Sequence, residues 1–226
     1  CYIIKNYKEI LNYQHKTFYK MRYENFEKDK YYKISNLGLN AENIFIDEED
    51  AARFLFLITH FQSPTPVHNS SWSTRMYLRK GKFTTTQNKL APILKDRSID
   101  LIAFSIQKNS FCLLIKNKLD SILSVYMHRV STAYSKYFNS KYSKKGHVFN
   151  GPFSSDLILQ SDLPKISCFI HQNTEKDTWS SKYDYLQNNR FGELLTTKEI
   201  LSLVGGPEKY KEFLENNTSL KEVSQK

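Results

Sequence analysis

Two apolar runs stand back to back in this chain, SIDLIAFSIQ (98–107) and NSFCLLIK (109–116), with room for only a tight connection between them. Strands that close in sequence pair as an antiparallel hairpin, and the hairpin fixes the middle of the fold. On the second strand Ser110 and Cys112 stand two residues apart, so they share one face. Ahead of the hairpin, YYKISN (31–36) alternates as a strand that Gly38 turns. DEEDAARFLFLITHFQ (47–62) opens with the acids that suit a helix N-terminus and continues as an amphipathic helix. Behind it, LDSILSVYMHRVSTAYSKYFNSKYS (119–143) places Ile122, Tyr126, Val130, Tyr134 and Phe138 along one helical stripe. GHVFNGPFSSDLILQ (146–160) returns as a strand, irregular around Gly151-Pro152. SDLPKISCFIHQN (161–173) then has a short helical period. Strand, helix, strand, strand, helix, strand, helix predicts an α+β fold of the ferredoxin-like kind, an antiparallel sheet with helices packed on one face.

The flanks read differently. Residues 1–30 space apolar positions at Ile3, Tyr7, Ile10, Phe18, Met21 and Phe26 with lysines between, a basic amphipathic helix closed by EKDK. SPTPVHNSSW (63–72) is loop, and 73–97 is a basic stretch of little periodicity, so 63–97 reads as an insert. TTKEILSLVG (196–205) and PEKYKEFLEN (207–216) carry helix signals, the second opened by proline. The expected division is a helix over 1–30, a core domain over 31–185 and a helical extension over 186–226. No apolar run approaches the ~20 residues that span a bilayer, and the first residues form no signal peptide. A soluble, intracellular protein without a membrane partner is expected. The chain opens on Cys1 rather than Met, so its true N-terminus is expected to lie upstream. Cys1, Cys112 and Cys168 have no metal-type spacing and are too few for a disulfide framework, so they read as buried free thiols. No cofactor and no metal site is expected.

The net charge of +10 is informative because of where it lies. Residues 51–95 hold no Asp or Glu but include Arg75, Arg79, Lys80 and Lys82. Residues 121–155 are again acid-free and include Arg129, Lys136, Lys141, Lys144, Lys145 and His147. Basic, aromatic-bearing stretches suit a polyanion, whose neutralised phosphates release counterions. These ten residues are the candidate nucleic-acid contacts.

Several blocks in order resemble a known family. YYKISNLGLNAENIFIDEEDAARFLFLI, IDLIAFSIQKNSFCLLIKN, VYMHRVSTAYSKYFNSKYSKKGHVFNGPFSS, and CFIHQN followed by WSSKYDYL are similar to the single-tyrosine HUH transposases, on the REP-associated tyrosine transposase branch. The likeness runs from about residue 31 to 216, and it implies the same ferredoxin-like sheet. It also implies a protein that cuts and rejoins single-stranded DNA beside hairpins. In that family a His-x-His pair on a strand holds Mg²⁺ or Mn²⁺ and a helical Tyr attacks the phosphate. This chain departs from the pattern at each point. The implied Asn-His-Phe-His is Asn109-Ser110-Phe111-Cys112, and Tyr-Ile-His-x-Asn is Phe169-Ile170-His171-Gln172-Asn173. Only Asn173 matches a position that assists the metal. Asn-Arg-Gly and Gly-Arg-Phe are Asn36-Leu37-Gly38 and Gly151-Pro152-Phe153, which removes two arginines of the implied DNA surface.

The expectation is therefore a pseudoenzyme: a catalytically inactive, transposase-derived protein that binds structured DNA or RNA. Two alternatives stay open. One is a structural subunit of a ribonucleoprotein or other assembly, holding protein partners through the N-terminal helix and the basic insert. The other is a residual single-strand transposase or nuclease. A homodimer is compatible with the resemblance.

Overall fold

The computed structural model describes residues 26–64, 74, 75, 78, 87–173 and 179–217. Residues 1–25 of the N-terminal helix expected over 1–30 and the candidates Arg79, Lys80 and Lys82 lie outside the described residues, as does most of the insert, while 26–30 form a turn with Asp29 at positive φ rather than a helix end.

Four strands form one sheet: β1 (Tyr31–Leu37), β2 (Ile99–Ile106), β3 (Ser110–Asn117) and β4 (Ser154–Ile158). Their order is β2-β3-β1-β4, and each neighbouring pair is antiparallel. The helices are α1 (Glu48–His60), α2 (Gln87–Lys95), α3 (Ile122–Tyr142), α4 (Leu163–Gln172), α5 (Lys182–Leu186), α6 (Lys198–Val204) and α7 (Pro207–Asn216). This is the α+β architecture expected from the order of periodicities. Two short helices were not legible in the sequence. In α2, Pro92 sits inside the helix and breaks the pattern. The five-residue α5 is too short to carry a period.

One correction concerns the layers. Helices cover both faces of the sheet rather than one. On the first face α1 and α3 pack Phe54, Leu57, Tyr126, Val130 and Tyr134 against Ile34, Leu113, Ile115 and Phe104. On the second, α4 to α7 pack Leu163, Ile170, Tyr185, Ile200, Tyr210 and Leu214 against Tyr31, Ile102, Ala103 and Leu114. A shift in pairing register between Leu101 and Ala103 makes this possible. The irregularity reverses the alternation of β2, so Ile99 and Leu101 share the first face with Phe104 and Ile106. Both outer layers thereby find an apolar floor.

Local chemistry sets the element ends. Asp47 caps α1 by accepting from the Asp50 amide, and the Asp50 carboxylate accepts from the Asp47 amide in return. Gly38 is held by close approach, since a Cβ there would stand 2.1 Å from the Glu42 carbonyl oxygen. The outer edge of β2 is closed by the 180–196 segment: the amides of Ser181 and Thr196 donate to the carbonyls of Phe104 (3.0 Å) and Leu101 (2.8 Å). β4 forms the other edge, with Leu157 and Leu159 exposed.

Candidate functional site

The four positions singled out by the sequence lie together, between the second face of the sheet and α4. Ser110 and Cys112 point from β3 toward that face with Leu114, which belongs to the cluster beneath α4. Ser35 of β1 stands opposite Cys112, and Lys33, two residues along β1, shares its face. From β4, Asp156 stands opposite Lys33. Above them α4 begins with Pro164 in its first turn and buries Leu163, Cys168 and Ile170. That seating presents Phe169 to the floor and brings Asn173 to the helix end.

Two connected groups fill the space. In the first, Ser110 Oγ donates to Gln107 Oε1 (2.9 Å), and Gln107 Nε2 donates to the backbone oxygen (2.9 Å) and Oδ1 (3.0 Å) of Asn173. Asn173 is the C-cap of α4, its amide donating to the Phe169 carbonyl (3.1 Å), so this chain of bonds ties the helix end to the β2–β3 turn. In the second, Lys33 Nζ lies 2.9 Å from Asp156 Oδ2 and 5.6 Å from the centre of the Phe169 ring. Lys33 is 8% exposed. A desolvated ammonium is retained only with compensation, here a carboxylate and an aromatic face. Burial pushes the Cys112 thiol up to about 11, outweighing the opposing pull of the Lys33 charge. It is therefore a protonated thiol at neutral pH and a poor nucleophile.

The resemblance implies a divalent cation between the side chains at 110 and 112. The residues present do not fit one. A hydroxyl and a protonated thiol are weak ligands for Mg²⁺ or Mn²⁺, and a lysine ammonium already stands in the pocket. Among the described residues no group of three or more His, Cys, Asp and Glu side chains is arranged to hold a metal ion.

His171, next to these positions in sequence, belongs to a separate buried relay. Ser181 Oγ lies 2.6 Å from Nε2, and Nδ1 lies 2.8 Å from the Tyr210 hydroxyl, which donates to Ser167 Oγ (2.8 Å). Ser167 Oγ in turn donates to the Pro164 carbonyl (2.9 Å). The consistent assignment has Ser181 donating to Nε2 and Nδ1–H donating to Tyr210. Burial lowers the His171 pKa to about 3, so the ring is neutral. Ser181 also accepts from the Phe104 amide (2.9 Å), which ties α4, α7 and the Trp179-Ser180-Ser181 turn to β2.

The candidate nucleic-acid contacts separate into two groups. Arg75, Lys136, Lys144, Lys145 and His147 are exposed. Around the end of α3, Ser143 and Gly146 adopt positive φ, and Asn139 Nδ2 donates to the Gly146 carbonyl (2.9 Å). That turn displays Lys144, Lys145 and His147 while Val148 and Phe149 anchor it in the core. Lys144 makes a 3.1 Å surface pair with Glu42. Two others are engaged internally. Arg129 donates to the Ser63 carbonyl (2.7 Å) and packs on the Phe61 ring at 4.7 Å, which ties α3 to the end of α1. Lys141 pairs with Asp47 (2.7 Å) and with the buried Asp50 (2.9 Å). Residues 121–155 are acid-free in sequence but not in space, because the α1 N-terminus brings its acids to them.

Sequence reasoning missed Lys33, Gln107 and Asp156. A signal existed for the first: in YYKIS the alternation places Lys33 on the same face as Tyr31 and Ser35, an ionisable residue on a covered face. Nothing local marks Gln107 or Asp156.

No protein-family model and no curated protein sequence matches the chain. A solved structure of a REP-associated tyrosine transposase bound to a REP hairpin is similar to it, with 9% identity and a TM-score of 0.48, covering 76% of this chain and 87% of that one. Identity and score at that level do not carry the neighbour's activity onto this chain. No helix among the described residues is long and apolar enough to cross a membrane.

Proposed function

We propose that this chain binds structured nucleic acid on a transposase-like scaffold and performs no strand cleavage. One observation carries the reading. At the positions where the resemblance implies two metal ligands and a nucleophile stand Ser110, Cys112 and Phe169, on a sheet face that also carries the buried Lys33 paired with Asp156. Strand transfer through phosphotyrosine needs an oxygen to attack phosphorus and a charge to stabilise the phosphate as it reacts. Phe169 has no oxygen, the Ser110 hydroxyl is spent on Gln107, and the Cys112 thiol stays protonated.

Binding is supported by the net charge of +10 and by the exposed Lys136, Lys144, Lys145 and His147 at the end of α3. Each lysine–phosphate contact releases condensed counterions, so affinity follows salt steeply. The test is fluorescence anisotropy with hairpin DNA and hairpin RNA across a series of KCl concentrations. The expected result is a linear fall of log affinity with log salt, with slope about −0.9 per phosphate contacted on duplex. Affinity that does not respond to salt contradicts the proposal. Nucleic acid retained on purification from the native source then identifies the ligand: hairpin DNA, or a single defined RNA accompanied by partner proteins.

A further inference from the structure

The proposed function leaves the Lys33–Asp156 pair without a task, and its position suggests one. We infer that Lys33 is the resident cation of the face beneath α4: its ammonium, one step along β1 from the Ser35–Cys112 pair and under the Phe169 ring, sets a fixed positive charge near residues 110 and 112 that excludes a divalent ion. This rests on reading those positions as former metal ligands.

The register carries the argument. Ser35 is paired across the strands with Cys112, and Lys33 is the next residue on that face of β1. Its ammonium meets Asp156 from the opposite strand at 2.9 Å and the Phe169 ring at 5.6 Å. Asp156 lies across β1 from β3, so the ammonium is turned toward β4 beneath Phe169, and its charge is still felt at Cys112. A divalent ion held by residues 110 and 112 would face this fixed positive charge, and because Lys33 is 8% exposed the repulsion is screened less than between surface charges. Asp156, the one carboxylate facing Lys33 from β4, is already taken by it. Ser110 is committed to Gln107, and Gln107 to Asn173. The pocket thus holds its own counter-charge and fixes α4 to the sheet without an ion. Restoring the lost ligands alone does not restore a metal site.

The test builds the ligands back. Ser110→His/Cys112→His is compared with the same pair plus Lys33→Met, and free Mn²⁺ is titrated by electron paramagnetic resonance. With Lys33 in place, no binding is expected up to about 1 mM Mn²⁺; with Lys33→Met, binding tightens at least about a hundredfold. Equal binding by both variants overturns the inference, as does no binding by either in protein that melts cooperatively. Should the variants fail to fold, the wild-type protein still decides it. Graded amine acylation read by mass spectrometry is expected to modify Lys33 at least about tenfold more slowly than Lys136 and Lys145, as a buried paired amine requires. Acetylation of Lys33 at the surface rate overturns it. Cleavage of nucleic acid by the wild-type chain would sink the proposed function, whereas Mn²⁺ bound by the double variant sinks only this inference.

Discussion

The two faces of the sheet are covered by different chemistry. Under α1 and α3 the layer is aromatic and aliphatic, with Phe45, Phe54, Tyr134 and Phe149 in mutual edge and tilted contacts. Its buried polar atoms are few beside the rings and mostly bond α1: Tyr126 donates to the Ile58 carbonyl, and Tyr137 and Tyr142 donate to the buried Asp50 at the α1 N-terminus. Under α4 to α7 the layer buries His171, Ser167, Ser181 and Lys33 in the middle. An apolar layer asks only for volume and shape. A buried polar layer asks that every member keep its partner. The four positions singled out from the sequence, Ser110, Cys112, Phe169 and Asn173, all lie against the second layer, where Ser110 and Asn173 are held through Gln107 and Phe169 packs over Lys33.

The largest effect should come from the first face. Phe54→Ala removes a ring with no exposure and should cost about 3–5 kcal/mol in urea denaturation, against about 1 kcal/mol for Phe54→Leu. On the second face, His171→Ala should cost about 2–4 kcal/mol, because it leaves Ser181 and Tyr210 without their shared partner. If His171→Ala costs less than Phe54→Leu, the contrast between the layers fails.

The same histidine gives the contrast a pH signature. In the unfolded chain it takes up a proton near pH 6.5, whereas in the folded chain it does so only near 3. Below 6.5 the unfolded state binds more protons, so this contribution is complete above that pH and is lost as pH falls from about 6.5 toward 3. The slope from this group approaches about 1.4 kcal/mol per unit. Denaturation at graded pH should show it, and His171→Gln should flatten it.

The Lys33–Asp156 pair sharpens the comparison at smaller scale. Asp156→Ala strands a buried ammonium and should cost about 1–2 kcal/mol, while Lys33→Met leaves a carboxylate that is 42% exposed and should cost less than about 1 kcal/mol. Reversal of that order would mean that the lysine is not the buried partner. The smallest effects belong to the surface. Lys145→Ala should reduce the salt slope of nucleic-acid binding by about one unit if it meets a phosphate, whereas Lys141→Met, whose charge is spent on Asp47 and Asp50, should leave the slope unchanged.

Much of the fold was legible because it rests on local signals. The acids at Asp47 and Asp50 announced α1, the two apolar runs gave the hairpin, and Pro207 opened α7. The second layer was not legible, since the shift near Leu101 that turns Ile102 and Ala103 toward α4 leaves no mark in composition. For the site, the departures at Ser110, Cys112 and Phe169 could be read residue by residue against a pattern. The contacts around them could not, because Lys33 meets Asp156 only through the pairing of β1 with β4, and Gln107 reaches Asn173 only through the packing of α4 on the sheet. The basic stretch misled for a related reason. Lys141 and Arg129 count as charges in sequence, but in space they are ties between α3 and α1.

The most direct test of the central claim puts binding and chemistry in one tube. A 5′-labelled single strand carrying a hairpin is mixed with the protein at low salt in Mn²⁺. Half of the sample is read by anisotropy and half on a denaturing gel. The account predicts a salt-sensitive complex that returns intact oligonucleotide, with no label bound covalently to protein. A shortened strand or a protein-linked label would contradict it, because either requires an attacking nucleophile, and the proposal assigns none to this site.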